Sequence, residues 1–248
     1  MKAVTYNFRF GGASKSPNLL KALLKDLAPD LVFAQEAFHP SEYLSQQDLS
    51  EFAGVVYRAV PNRNWGSMIM SRHWPLQEIV LPEFDGWVVG AKLHAATIGS
   101  ESTPLTIYSI HAPSPGPYQP IVDRILDRIE AMWVGTPLMI AGDFNLTTAV
   151  RHSSEALTNS RGELKMQARL RKDFDLFNAW QILHPNESLP QTLRWSKDKA
   201  PSYHCDAIFV SGRHLKFLEQ AVIHSSPEWS ERSDHNPVSI LMRQNAMA

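Results

Sequence analysis

Two short segments of the sequence each place several chemically active side chains within four residues. Gly142-Asp143-Phe144-Asn145 carries a carboxylate and an amide two residues apart, and Ser233-Asp234-His235-Asn236 carries a carboxylate, an imidazole and an amide. If the strand geometry before Asp143 continues that far, the side chains of Asp143 and Asn145 point to one face. A carboxylate can accept a proton from water, and an imidazole can transfer one. We therefore expect Asp143 to activate a water molecule that Asn145 helps to position.

Four further polar residues lie in or directly after apolar, strand-like runs: Asn7, Glu36, His111 and Asp206. Taken alone, each has an ordinary structural explanation as a turn former, a cap or a packed polar group. Ends of strands are rigid, however, so side chains placed there can converge on one crevice. A carboxylate can orient a histidine that transfers a proton or stabilises developing charge. The predicted pair of this kind is His235 with Asp206.

The oxygen-bearing residues of this set suit a hard divalent cation. Mg²⁺ takes oxygen ligands and often uses only one or two carboxylates, with water and substrate completing its shell. Glu36, Asp234 and the amide oxygen of Asn7 are the predicted ligands, and Mn²⁺ is expected to substitute for Mg²⁺. Such an ion polarises a phosphoryl group and neutralises charge on the leaving oxygen. The residue types therefore predict hydrolysis of a phosphate ester.

The segments that must position these residues alternate between strand-like and helix-like patterns. A helix is predicted after Ser16-Pro17, because Ser is a common N-cap, Pro is favoured at the first helical position, and leucines follow at helical spacing. Further helices are predicted over 121–132 and, with a break near Asp173, over 165–183, and 146–162 is predicted to be a surface loop. Strands are predicted over 2–8, 30–35, 55–60, 67–71, 87–93, 106–111, 137–141, 192–195, 204–210, 221–224 and 237–242.

Composition limits the class of protein. The 248 residues have a net charge of −1, so charge alone does not indicate a nucleic-acid partner. The single Cys205 excludes an intramolecular disulfide and is expected to be a small buried residue. The chain has no apolar leader and no run of about 20 apolar residues, which favours a cytoplasmic protein without a membrane span. Without repeats or linkers, a single domain of mixed α and β type over 1–248 is expected.

In order along the chain, the motifs resemble those of the endonuclease/exonuclease/phosphatase superfamily, which has the deoxyribonuclease I-like fold. Any one of them is weak, but Gly-Asp-Phe-Asn followed by a C-terminal Ser-Asp-His is specific. The segments that carry the resemblance are Asn7, Gln35-Glu36, Trp65 to Arg72, Ser109-Ile110-His111, Gly142 to Asn145, Cys205 to Val210 and Ser233-Asp234-His235.

The resemblance implies an α/β fold in four layers, with two mainly antiparallel sheets packed face to face and helices outside. It also implies that Asn7 and Glu36 help to hold the metal and that Asp234 lies near it. His111 and the His235–Asp206 pair would contact the scissile phosphate. Trp195 would lie near the site, where it could stack on a ligand or fill the core.

One position departs from the family's pattern. Many members carry Arg two residues before the strand Asp, where this chain has His204. The exchange should alter packing or a substrate contact. Arg151 and Arg161, in the polar segment beyond Asn145, could contact phosphates of a long substrate, although an ordinary solvated charge is the expectation for both.

Three functions remain open. The first is a metal-dependent phosphodiesterase, most readily a nuclease on DNA or RNA; the second is the same chemistry on a small phosphorylated molecule or lipid head group. The third is an inactive binding module on the same fold, which the complete set of acids, amides and imidazoles argues against. A basic groove with aromatic residues would favour nucleic acid, and a closed pocket would favour a small substrate. No protein partner is predicted.

Overall fold

A computed structural model describes residues 1–12, 18–98, 101–113, 117–194 and 203–243. The strands in chain order are β1 (Lys2–Asn7), β2 (Leu31–Ala37), β3 (Gly54–Ala59), β4 (Gly66–Ser71), β5 (Gln77–Ile79), β6 (Val88–Ile98), β7 (Glu101–His111), β8 (Leu138–Asp143), β9 (Leu176–Asn178), β10 (Asp206–Ser211), β11 (Leu218–Ile223) and β12 (Val238–Met242). The α-helices are α1 (Leu19–Leu27), α2 (Gln46–Leu49), α3 (Tyr118–Met132), α4 (Arg161–Asp173), α5 (Ala179–Leu183) and α6 (Pro227–Ser230). Short 3₁₀ helices span Pro40–Glu42, Pro82–Phe84 and Gly212–Phe217.

The strands form two six-stranded sheets. The first sheet has the order β11-β12-β1-β2-β4-β3, and the second has the order β5-β6-β7-β8-β10-β9. Each sheet has one parallel pair, β1 with β2 and β7 with β8, and every other pair is antiparallel. The two parallel pairs occupy the sheet centres, so the ends of β1, β2, β7 and β8 lie side by side.

Alternation of side chains along the strands produces three apolar layers. In β1, Ala3 packs between the two sheets, whereas its neighbour Val4 packs beneath α1. Successive residues of a strand point to opposite faces, which explains this division. The helices α3 and α4 cover the outer face of the second sheet through residues such as Ile125 and Leu170. The predicted four-layered α/β sandwich is therefore confirmed.

The first helix begins later than its cap was predicted to lie. Asn18 is the N-cap, and its side chain accepts a hydrogen bond of 3.0 Å from the backbone N–H of Lys21. Ser16 and Pro17 lie outside the described residues. The helix ends at Leu27, and the φ of 42° at the C-cap residue Ala28 lies in the left-handed region.

The segment predicted as one interrupted helix over 165–183 is three elements. Helix α4 starts earlier, at Arg161, within the segment predicted to be a loop, because Ser160 and Glu163 form a capping box. After Asp175, with a positive φ of 54°, the chain forms β9, which pairs with β10, and then α5. The pairing partner of β9 lies 30 or more residues away, so local periodicity could not show it.

Two other predictions need correction. In the described part of the strand predicted over 192–195, which ends at Arg194, Leu193 forms isolated bridges to Tyr203 and to His235, because each partner pairs with it at one residue. The edge strand β5 was not predicted, and β6 and β7 extend beyond their predicted bounds as a long hairpin. No helix among the described residues has both the length and the apolarity needed to cross a membrane.

Candidate active site

The strand ends surround one cleft of about 470 Å³ on one edge of the sandwich. Glu36 from β2, His111 from β7 and Asp143 from β8 line it together with the loop residues Asn145 and His235. The other lining residues are Arg9, Phe10, Arg63, Trp65, Trp87, Tyr118, Leu193 and Asp234. The structure thus brings together residues that are up to 226 positions apart in sequence, as Arg9 and His235 are.

A β-bulge directs Glu36 into the cleft. In the pairing of β2 with β4, Ala34 faces Met68 and Ala37 faces Gly66, so β2 has one residue more than its partner. Glu36 lies within the bulge with a φ of 50°, in the left-handed region. Bulges re-aim side chains beside active sites, and residues held in this sparsely populated region are concentrated at functional sites.

Asn7 holds two of the acids together. Its Nδ2 donates hydrogen bonds to Glu36 Oε1 at 3.2 Å and to Asp143 Oδ2 at 3.1 Å, while its Oδ1 accepts from the backbone N–H of Arg9 at 2.9 Å. The amide nitrogen thus faces both carboxylates, and the role of the Asn7 amide oxygen as a metal ligand stays a prediction. Because the oxygen already has a partner, Asn7 is placed to align the carboxylates.

The Gly142–Asn145 turn presents Asp143 to the cleft. Gly142 has a φ of 140°, and a Cβ there would overlap the carbonyl oxygen of Ile110, so only glycine fits. Asp143 Oδ1 accepts the backbone N–H of Asn145 at 2.8 Å. The Asn145 side chain donates to the carbonyl of Ala112 at 3.0 Å. The two side chains predicted to share a face therefore do line one cleft.

His235 and Asp206 form a buried pair. His235 Nδ1 lies 2.9 Å from Asp206 Oδ2, and Nε2 lies 3.7 Å from Asp143 Oδ2. Burial lowers the pKa of His235, but the charges of Asp206 and Asp143 outweigh it and raise this pKa to about 10. Burial and the charge of Asp206 raise the pKa of Asp143 to about 6. His235 is thus held as a cation beside a carboxylate that can exchange a proton near neutral pH.

His111 differs from His235 in its protonation. Burial and the charge of His235 lower the pKa of His111 to about 3, so the ring is neutral at pH 7. Its Nε2 lies 3.5 Å from Glu36 Oε1, and its buried Nδ1 has no hydrogen-bond partner among the described residues. The cleft therefore contains one charged and one neutral imidazole.

The loop that carries Asp234 is attached to β1. Ser233 Oγ donates to the carbonyl of Asn7 at 2.8 Å and accepts the N–H of His235 at 3.2 Å. Asp234 Oδ2 lies 3.2 Å from Nε of Arg9, a residue that sequence reasoning did not single out. The position of Arg9, two residues after Asn7 at the end of β1, could have indicated it.

Sequence reasoning also missed Arg194, which holds the 233–236 loop through hydrogen bonds from its guanidinium and its backbone N–H. Its guanidinium donates to the carbonyls of Ser233 at 2.6 Å and His235 at 2.9 Å, and to Oδ1 of Asn236. Its own N–H donates to the carbonyl of Asp234 at 2.7 Å. Burial lowers the pKa of Arg194. The planar guanidinium can donate several hydrogen bonds at once, as it does here. No spacing pattern in the sequence around Arg194 predicts this role.

The donor set at Glu36 fits a divalent cation. Burial raises the pKa of Glu36, which shows that its charge is poorly solvated. Its described contacts are hydrogen bonds from Asn7 and Phe10 and the neutral His111, and no Lys or Arg of the described chain forms an ion pair with it. A partly buried carboxylate near the acids Asp143 and Asp234 favours a hard cation with oxygen ligands.

A second group of potential ligands lies deeper. Ligand atoms of Asp143, Cys205, Asp206 and His235 all lie within 4.8 Å of one another. Burial raises the pKa of the Cys205 thiol well above its usual value, so the sulfur keeps its proton. Both oxygens of Asp206 contact His235 Nδ1. We interpret this group as the His–Asp pair and its surroundings, with Cys205 as the small buried residue that was expected.

Four other positions that the sequence singled out have distinct outcomes. Trp195 lies outside the described residues. Arg151 was expected to be solvated, and this is wrong: its side chain is 6% exposed and forms an ion pair of 2.8 Å with Glu155. Arg161 is exposed, as expected. His204, at the position where relatives often carry Arg, is buried, contacts the Pro190 carbonyl at 2.9 Å and packs against Trp180.

Comparisons with solved structures show other proteins with the same fold. The AP endonuclease of Archaeoglobus fulgidus has a TM-score of 0.72 at 14% identity, with 98% of this chain and 99% of that chain covered. The 3′ phosphatase NExo from Neisseria, bound to a product DNA hairpin, has a TM-score of 0.74 at 15% identity, with coverage of 98% and 99%. The APE2 catalytic domain of Xenopus laevis has a TM-score of 0.73 at 17% identity, with coverage of 98% and 91%. At these identities the likeness shows the fold.

No match was found among the curated proteins. The model of the Endonuclease/Exonuclease/phosphatase family matches residues 4–235, nearly the whole chain and every segment that lines the cleft. On this match, the chain belongs to the endonuclease/exonuclease/phosphatase family.

Proposed function

We propose that the protein is a divalent-metal-dependent hydrolase of phosphate esters, and specifically a phosphodiesterase that acts on nucleotide substrates. The observation that carries the proposal is the meeting of Glu36, Asp143, Asn145, His111 and His235 in one cleft. An inactive binding module would not need buried acids whose desolvation opposes folding. The family match supports a phosphoester hydrolase.

Mg²⁺, or Mn²⁺ in its place, would be held by Glu36 and Asp234, with Asn7 aligning the acids. When bound, the ion polarises the phosphoryl group and neutralises charge on the leaving oxygen. Arg9 and Asp234 form a partly exposed ion pair at 3.2 Å, so Asp234 can exchange this partner at small energetic cost.

Asp143 acts as the base toward the attacking water. Its Oδ1 is occupied by the Asn145 N–H, while Oδ2 faces Asn7 and His235. A carboxylate with a pKa near 6 is largely ionised at pH 7 and remains basic enough to accept a proton. Asn145 fixes the turn and, as a lining residue, positions the water and phosphoryl group.

His235 and His111 stabilise the charge of the phosphoryl oxygens in different ways. The imidazolium of His235, oriented by Asp206, donates a charge-assisted hydrogen bond from Nε2. The neutral His111 would donate from Nε2, which lies 3.5 Å from Glu36 Oε1, because its Nδ1 is buried. Fixed donors in a buried cleft stabilise developing charge without reorganising at the moment of reaction.

Two observations bear on whether the substrate is a nucleic acid or a small phosphorylated molecule. The solved structures named above include an AP endonuclease and a 3′ phosphatase bound to a DNA hairpin, which supports a nucleic-acid substrate. The net charge of −1 favours a short substrate over a long duplex, because phosphate neutralisation contributes much of the affinity for nucleic acid. The second candidate is therefore a small phosphorylated molecule or lipid head group in the same cleft.

A substrate screen tests the proposal. Dinucleotides, oligonucleotides, glycerophosphodiesters and phosphomonoesters are incubated with Mg²⁺ or Mn²⁺, and wild type is compared with Asp143→Asn. We expect hydrolysis of a phosphodiester that both excess chelator and Asp143→Asn abolish. Hydrolysis of no phosphate ester, or hydrolysis that Asp143→Asn leaves intact, contradicts the proposal.

A further inference from the structure

One wall of the cleft consists of three aromatic rings, each in contact with the next in space. The ring of Phe10 lies 5.5 Å from that of Trp65, and Trp65 lies 5.4 Å from Trp87. Trp87 and Trp65 in turn lie 5.1 Å and 6.0 Å from the ring of His111. This aromatic wall therefore runs from the phosphate-contacting histidine to the mouth of the cleft.

Phe10 is held in an unfavourable position for an apolar residue. Its side chain is 58% exposed, whereas Trp65 behind it is 8% exposed. Its φ of 54° and the φ of 51° at Arg9 lie in the left-handed region, which is rare for residues other than glycine, asparagine and aspartate. The Phe10 N–H donates to Glu36 Oε2 at 3.0 Å. The backbone thus presents an open ring at a fixed position beside the proposed metal ligand.

The positive charge at the mouth of the cleft limits the classes of ligand that could stack on the ring of Phe10. Arg63, exposed and lining the same cleft, has no ion pair within the described part of the chain, and Arg9 lies next to Phe10. Aromatic rings can also hold a quaternary ammonium ion by cation–π attraction. Arg63 at the opening repels such a cation and attracts an anion or a planar, electron-rich ring, and Arg9 adds to this charge when Asp234 exchanges it for the metal.

We infer that Phe10, backed by Trp65 and Trp87 and flanked by Arg63, is a stacking site for a nucleobase attached to the phosphate that is cleaved. This inference rests on the proposed function and specifies its substrate. The ring of Trp65 lies between those of Phe10 and His111, at 5.5 Å and 6.0 Å, so a base on Phe10 and a phosphate at His111 are within the reach of a single nucleotide. A base stacked there is outside a duplex, so the substrate class is an unpaired nucleotide of a single strand, a strand end or a dinucleotide.

Binding can be measured separately from catalysis. Asp143→Asn protein is titrated with deoxyadenosine 5′-monophosphate and with deoxyribose 5-phosphate, which differs only in lacking the base, while tryptophan fluorescence and heat are recorded. We expect the nucleotide to bind roughly 5- to 100-fold more tightly, as base–aromatic stacking contributes in other proteins. Phe10→Leu in the same background should remove most of this preference, and Phe10→Tyr should keep it.

Arg63→Gln is the matched variant for charge. Because its side chain would act on the phosphate, we expect it to weaken both ligands to a similar degree and to leave the base preference in place. Equal binding of the two phosphates, or a full preference in Phe10→Leu, overturns the inference. Tighter binding of phosphocholine than of the nucleotide also overturns it and assigns the wall to a quaternary ammonium ion.

Measurements of turnover distinguish a failure of the stacking site from a failure of the proposed hydrolase function. We expect wild type to cleave a dinucleotide faster than glycerophosphoglycerol, and a single strand faster than the same sequence in a duplex. If a base preference in binding persists but no phosphate ester is hydrolysed with Mg²⁺ or Mn²⁺, the proposed function fails alone. If base-free and nucleotide esters are hydrolysed equally well, the stacking site fails and the hydrolase stands.

Discussion

The Nδ1 atom of His235 lies 2.9 Å from Asp206 Oδ2, although the two residues belong to different segments and are 29 positions apart. Thr192 supports Asp206 by accepting the backbone N–H groups of Cys205 at 3.0 Å and of Asp206 at 3.1 Å on its hydroxyl oxygen. The carboxylate therefore fixes both the orientation and the charge of the imidazole. This relationship determines what His235 can contribute to the reaction.

Removing the charge of Asp206 should impair turnover more than binding. We expect Asp206→Asn to lower kcat by roughly 10²- to 10⁴-fold, because His235 loses the partner that keeps it protonated and oriented. KM should change much less. Steady-state kinetics check this, with circular dichroism to verify folding. Asp127→Asn, which removes an exposed carboxylate on α3, is the control, and a near-normal kcat in Asp206→Asn would remove Asp206 from its proposed role.

Glu36 should dominate metal binding. Replacing it by Gln retains the shape but removes the charge, so we expect the affinity for Mn²⁺ to fall at least roughly tenfold. Electron paramagnetic resonance of free Mn²⁺ measures this without any substrate. Glu42→Gln, at an exposed position of the 3₁₀ helix Pro40–Glu42, should bind like wild type. Unchanged affinity in Glu36→Gln would contradict the assignment of Glu36 as a ligand.

Arg194 should act through the loop that it holds. In Arg194→Lys the planar guanidinium is lost, and a single ammonium group cannot make the contacts to Ser233, His235 and Asn236 together. We expect a loss of about 1–3 kcal/mol in the free energy of unfolding, since charged hydrogen-bond donors are removed. Faster amide exchange in 233–236 and a lower kcat at similar KM should accompany it. Protection of this loop equal to that of wild type would show that Arg194 does not position it.

His204 should make stability depend on pH. Burial lowers its pKa, with the Pro190 hydrogen bond opposing, and its buried Nε2 has no partner in the described chain. Its contribution is thus complete above the unfolded-state pKa of about 6.5 and is lost as pH falls below that value toward its folded pKa. His204→Gln, which can still donate to Pro190, should lose less stability between about pH 6.5 and pH 5. Urea unfolding at several pH values measures this, and an unchanged slope would contradict it.

Much of the fold was predictable because its signals are local. The apolar runs around Val4, Phe33 and Ile140 predict strands by their composition, and the leucines from Leu19 to Leu27 predict a helix by their spacing. Strand β9 was missed because its three residues pair with β10, which lies far along the chain. Local periodicity contains no information about such a partner.

The site was predictable to the same extent. The residue types and the order of the motifs indicated Asp143 and Asn145, which lie in one turn, and Asp234 and His235, which lie in one loop. The roles of Arg9 and Arg194 depend on contacts to a loop near residue 234, and the aromatic wall depends on the meeting of three separate segments. The orientation of the Asn7 amide depends on its neighbours in space, so sequence could not provide it.

Hydrolysis of a dinucleotide with Mg²⁺ in water enriched in oxygen-18, with and without excess chelator, tests the central claim most directly. Attack by a water that Asp143 activates predicts one oxygen-18 atom in the phosphate product and none in the released hydroxyl, with no turnover in chelator. Oxygen-18 in the released hydroxyl, or full turnover in excess chelator, would contradict metal-dependent attack of water on phosphorus in this cleft.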